Sequence, residues 1–126
     1  MKIILCGLSL LFVVVTKQDC HKKNASADTV YKGRLEIKGI CMNYTIKVLS
    51  GNIDTSMISQ DWTDEMTGKK YTGVFALGSP CSFPSSLQQG DEFSFRIDTA
   101  KNQHCAVCMA YYPKPPKHLS IICTDQ

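Results

Sequence analysis

The stretch "DTVYKGRLEIKG" alternates along its length. Val30, Lys32, Arg34, Glu36 and Lys38 fall on one side of an extended chain and Tyr31, Leu35 and Ile37 on the other. This period of two predicts a strand with one wetted face. "NYTIKVLSG" repeats the pattern with Tyr44, Ile46 and Val48 and ends at Ser50-Gly51. "KKYTGVFAL" gives a third strand, "GDEFSFRIDT" a fourth with Phe93, Phe95 and Ile97 against Glu92, Ser94 and Arg96, and "KHLSIIC" a fifth. Turns are expected at Gly39, Gly51-Asn52, Gly68, Gly78 and Gly90. Helical signal is thin. "SMISQDWTDEM", with a cap at Ser56, predicts a short helix or turn, and "PSSLQQG" a single turn that stops at Gly90. Five short strands with turns between them predict an all-β domain, a small five-stranded barrel with one or two short helical turns. Phe93, Phe95 and Ile97 should face its interior together with Leu35, Ile37, Ile46 and Val48.

One apolar run does not fit this plan. After Met1-Lys2 comes "IILCGLSLLFVVV", residues 3–15, without a charge. A basic start followed by a short apolar run is the pattern of a secretory leader, here residues 1–16, leaving a single domain over 17–126. The run falls short of the roughly 20 residues of a membrane span. A secreted, extracellular protein is expected. Cys6 leaves with the leader, so six of the seven cysteines remain: Cys20, Cys41, Cys81, Cys105, Cys108 and Cys123. An even number in a short secreted chain predicts three disulfides, with roughly 15 pairings open.

Cys105-x-x-Cys108 has three readings: a redox pair, half of a zinc site, or the ends of two disulfides. An oxidising compartment favours paired thiols. Pro113, Pro115 and Pro116 forbid the helix that follows a thioredoxin-like motif. His104 and His118 complete a Cys2His2 set in composition but not in finger spacing. The third reading is adopted, with no metal or cofactor.

Charge narrows the partner. Without Lys2 the chain carries thirteen Lys and Arg against eleven Asp and Glu, unlike the clustered excess of a nucleic-acid binder. The three histidines, His21, His104 and His118, lie in no hydrolase, zinc-protease or phosphate-loop context, so an enzyme is not expected. Asp61, Asp64 and Glu65 around Trp62 lack calcium-loop spacing and predict a solvated acidic loop, with Trp62 covering one end of the barrel. Asn24 and Asn43 head N-x-Ser/Thr sequons and are candidate glycan sites. Tyr111-Tyr112 followed by "PKPPK" predicts a stiff, exposed loop suited to contact at low entropic cost.

The spacing also resembles the netrin-like module of the tissue inhibitors of metalloproteinases. "CHKKNASADTVYKGRLEI" presents Cys20, Asn24, Ala27, Asp28 and Val30 in the order of that family's first strand. "CSFPSSLQQGDEF" presents Cys81, Leu87, Gly90 and Phe93, and "KHLSIIC" ends in Cys123 as a family strand does. The resemblance implies an OB-type barrel and a metalloproteinase-inhibitor-like protein. Family inhibitors open on Cys-x-Cys, whose first residue chelates the protease zinc; here Cys20 stands alone before His21-Lys22, and the family's C-terminal subdomain is missing. The expectation is a monomeric extracellular binding protein that acts through Cys20 and His21 and through the 109–117 loop with Tyr111, Tyr112, Lys114 and Lys117. The alternatives are a glycosaminoglycan or matrix binder using Lys22, Lys23, Lys114 and Lys117, and a secreted toxin-like or defence effector without enzymatic activity.

Overall fold

The computed structural model describes residues 28–100 and 104–125. The alternating segments do form strands, and one more, β3, forms where none is expected: β1 (Tyr31–Lys38), β2 (Tyr44–Ser50), β3 (Ser59–Thr63), β4 (Lys70–Leu77), β5 (Glu92–Ile97), β6 (His118–Leu119) and β7 (Ile121–Cys123). They make one sheet in the order β3-β4-β2-β1-β5-β7, with β6 paired to β4. All pairings are antiparallel except β4 with β6. The protein is all-β, with three isolated 3-10 turns and two disulfides among the described residues. Among the described residues no helix is long and apolar enough to cross a membrane.

The strand count is seven where alternation predicts five. "KHLSIIC" divides because Ser120 breaks the ladder: β6 pairs with β4, and β7 pairs with β5. The C-terminal segment thus spans the seam between the two ends of the sheet, but no continuous ladder closes the barrel. "SMISQDW", expected to be a helix or turn, gives one 3-10 turn at Thr55–Met57 and then β3. The cap is Asp54, whose Oδ1 accepts from the Ser56 amide at 2.9 Å, and not Ser56. Pairing with β4 then wins over helix extension, with Trp62 opposite Tyr71. "PSSLQQG" forms turns without a helix, and Gly90 takes the positive φ of 95° that favours glycine.

The core sits where the period of two places it. Tyr31, Leu35, Ile37, Ile46, Phe93 and Phe95 are buried, and Val48 and Ile97 pack against them half-buried. Phe95 lies at the centre, its ring 5.5 Å from Tyr31, 5.8 Å from Phe75 and 6.0 Å from Phe93 between centroids. Gly33 makes room for it, since a Cβ there would stand 3.0 Å from Phe95 Cε1. The second half of β4, Val74–Leu77, is buried on both faces, which alternation alone does not predict. The 117–119 segment pairs along its edge: the amides of Ala76 and Gly78 donate to the carbonyls of Lys117 and Leu119 at 2.8 and 2.7 Å. A strand paired on both sides and covered on both faces carries a continuous apolar run.

Candidate functional site

The β1–β2 hairpin turns through Gly39–Asn43, and the Asn43 amide donates to the Ile40 carbonyl at 3.1 Å. Cys41 and Met42 both have left-handed φ, 56° and 57°. Such a turn matches the twist of the flanking strands but favours glycine and asparagine. Two side-chain-bearing residues there are strained, and surrounding bonds must hold them. Cys41 is bonded to Cys108, with Cα atoms 5.1 Å apart. A second disulfide joins Cys81, in the Pro80–Ser82 turn, to Cys105, with Cα atoms 5.6 Å apart. The CxxC is therefore two disulfide ends, and neither thiol is available as a redox or zinc ligand. Among the described residues no three His, Cys, Asp or Glu side chains gather as a metal set.

These bonds pin a segment that makes no strand from His104 to Lys117. Asn43 reinforces the attachment: its Nδ2 donates to the carbonyls of Ile40 and Ala110 at 2.9 and 3.2 Å, and its Oδ1 accepts from Lys114 Nζ at 3.3 Å. The nitrogen that would carry a glycan is thus engaged in two hydrogen bonds at the surface. Asn24 lies outside the described residues. On the far side, the Tyr111 hydroxyl donates to the Glu65 carboxylate. That bond to a carboxylate holds the Tyr111 phenol above its ordinary pKa of 10.0.

The expected exposed loop is only partly exposed. Tyr111, Lys114, Pro116 and Lys117 face solvent, but Pro113 and Pro115 are buried and Tyr112 is half-buried. Tyr112 packs on Gly39, where an added Cβ would stand 2.7 Å from its ring. Prolines lack an amide hydrogen, so they enter the interior without an orphaned donor and tie the segment down. What stands out instead is apolar and lies earlier in the segment. Met109 is 91% exposed, Tyr111 79%, Ile40 59% and Val107 51%. Ile40 adjoins Cys41, and Val107, Met109 and Tyr111 alternate with Cys108 and Ala110, so the Cys41–Cys108 disulfide and the Asn43–Ala110 bond bring the two stretches together as one ridge. Sequence reasoning passed over Ile40, Val107 and Met109, whose only signal was their position beside cysteines.

The acidic loop differs from expectation. Asp61 and Glu65 are exposed, but Asp64 is buried and organises its turn, accepting from the Met66 amide at 3.0 Å and the Thr67 hydroxyl at 2.8 Å. Trp62 lies half-buried on edge strand β3 against Tyr71, centroids 5.6 Å apart, with Lys69 Nζ 4.9 Å above the Tyr71 ring. It lines a small cavity of about 130 Å³ with Glu65, Tyr111 and Lys114 instead of covering a barrel end. His104 is exposed. His118 begins β6 with its side chain still exposed, and partial desolvation, then the Lys114 charge, hold its pKa below the ordinary 6.5. Cys20, His21, Lys22 and Lys23 lie outside the described residues, and Cys123 is joined to no other cysteine among the described residues. No protein-family model, no curated protein and no solved structure matches the chain.

Proposed function

We propose that this is a secreted binding module whose contact surface is the ridge of Ile40, Val107, Met109 and Tyr111. The observation that carries the reading is that ridge: three exposed apolar side chains on a segment fixed by two disulfides, and Ile40 on the hairpin turn bonded to it. Contiguous exposed apolar surface on a small protein marks an interaction site. Covalent anchoring removes much of the ordering cost that a mobile loop meets on binding. Two disulfides suit an extracellular setting. The resemblance to the netrin-like module makes a zinc endopeptidase the first partner class to test. The lysines support a polysaccharide reading less well: of Lys22, Lys23, Lys114 and Lys117 the first two lie outside the described residues, and Lys114 is held against Asn43.

The test measures binding and inhibition of extracellular zinc endopeptidase catalytic domains by the native protein and by a Met109→Ser/Tyr111→Ser variant. A complex weakened at least about tenfold in the variant, with an unchanged melting temperature, is the expected result. No complex with any of them, together with retention on heparin that the variant keeps, would replace this reading with the polysaccharide one.

A further inference from the structure

Four of the six cysteines that follow the apolar leader are joined, Cys41 to Cys108 and Cys81 to Cys105, which leaves Cys20 and Cys123. Cys123 does not stand on open surface. It borders a groove of about 430 Å³ in which Pro84, Leu87 and Phe93 supply apolar surface and Ser86 and Asp125 polar groups. We propose that Cys20 and Cys123 form a third disulfide and that residues 20–27 occupy this groove. The proposal rests on the secretory reading above.

Topology brings the two cysteines within reach. Tyr31 at the start of β1 pairs with Phe95, and Phe95 pairs on its other side with Cys123. Two ladder spacings separate Tyr31 from Cys123, roughly 10 Å. Cys20 precedes Tyr31 by eleven residues, a length that spans up to about 36 Å when extended. The chain thus reaches Cys123 with slack enough to lie along the groove. Charge agrees with this occupant, because Lys22 and Lys23 follow Cys20 after His21 while Asp125 borders the groove. In the bond-forming step the two thiols lose two protons and two electrons. A disulfide of a secretory-pathway thiol oxidoreductase accepts them and leaves as a dithiol.

The secreted protein, alkylated before digestion and cut with trypsin without reduction, decides the matter. The expected product is fragment 18–22 linked to the C-terminal fragment that starts at 118, from a monomer with no alkylated cysteine. Alkylated Cys123 beside two intact bridges overturns the proposal, and so does Cys123 bonded to a second copy. Alkylation at every cysteine would overturn it together with the secretory reading. A second measurement addresses the groove. Trypsin acting on the native protein should cut after Lys22 and Lys23 at least about tenfold more slowly than in the Cys123→Ser variant. Equal rates would show that the segment does not lie in the groove.

Discussion

The side-chain nitrogen of Asn43 lies 3.2 Å from the carbonyl oxygen of Ala110, joining a strained hairpin turn to the segment that carries the exposed ridge. The same side chain also bonds Ile40 within the turn and Lys114 beyond it, so one residue ties the turn to the segment at two points. Asn43→Ala should cost about 1–2 kcal/mol, read from denaturant unfolding. The loss should show first as faster hydrogen exchange at the turn and not in the β1–β5 ladder. Exchange that rises equally in both would mean that Asn43 acts on global stability alone. A glycan on Asn43 would displace one of these bonds, and peptide mapping of the secreted protein should find that site unmodified.

Phe95 tests the core. It is fully buried, in ring contact with Tyr31, Phe75 and Phe93, and it joins β1 to β4 across the interior. Phe95→Ala should destabilise by about 3–5 kcal/mol. Val30→Ala, on the solvent side of the chain just before β1, should change stability by less than about 0.5 kcal/mol. Similar losses from both would contradict the assigned faces.

These two cases show where the sequence was legible. β1 and β5 each bury one face, and a one-sided strand writes its burial as alternation; Leu35 and Phe95 could be placed from that pattern, whereas β2 also buries Thr45 on its other face. β3 was missed because it is an edge strand with little buried surface, and Asp61, Trp62 and Thr63 alternate in nothing. The ridge was half legible. Cysteines and prolines announced a pinned segment, but whether Pro113 points inward and Met109 outward depends on the hairpin turn it lies against. That contact joins positions 67 residues apart through Cys41 and Cys108, beyond any local pattern.

His118 makes stability pH-dependent. Its folded pKa lies below 6.5, through partial desolvation first and the Lys114 charge second, so the unfolded chain takes up a proton more readily. The contribution is full above pH 6.5 and is lost as pH falls through the folded pKa. Melting temperatures of the native protein and of His118→Gln, measured from pH 8 to pH 5, should show the native protein losing ground below pH 6.5. A constant difference across that range would remove His118 as the cause.

The Cys123 thiol is pushed up from 9.0 to about 11, by burial first and by Asp125 second. In a Cys20→Ser variant it should therefore react with iodoacetamide at pH 8 roughly a hundredfold more slowly than in the unfolded chain, in proportion to its thiolate fraction. The sign for stability is the reverse of that for His118. The contribution is intact below pH 9 and declines as pH rises toward 11, because the unfolded thiol ionises first. Rapid alkylation of the folded variant would place Cys123 on open surface.

Tyr111 and Tyr112 are adjacent in sequence but face different tasks, and this separates binding from packing. Tyr111 is largely exposed and held only by the Glu65 carboxylate, whereas the Tyr112 ring packs on Gly39 beside the hairpin turn. Tyr111→Ser should leave the melting temperature within about 2 °C, since an exposed side chain contributes little to folding. It should weaken the complex at least about tenfold, because an aromatic on a rigid ridge is a typical anchor. Tyr112→Ser should lower the melting temperature by several degrees, and any loss of affinity should follow from the loosened turn. Tyr111→Phe distinguishes the ring from its hydroxyl. It keeps the apolar area and removes the bond to Glu65, so affinity close to that of the native protein means that the ring makes the contact. If instead Tyr111→Ser lowers stability and leaves affinity unchanged, Tyr111 closes the cavity beside Trp62 and the binding surface lies elsewhere.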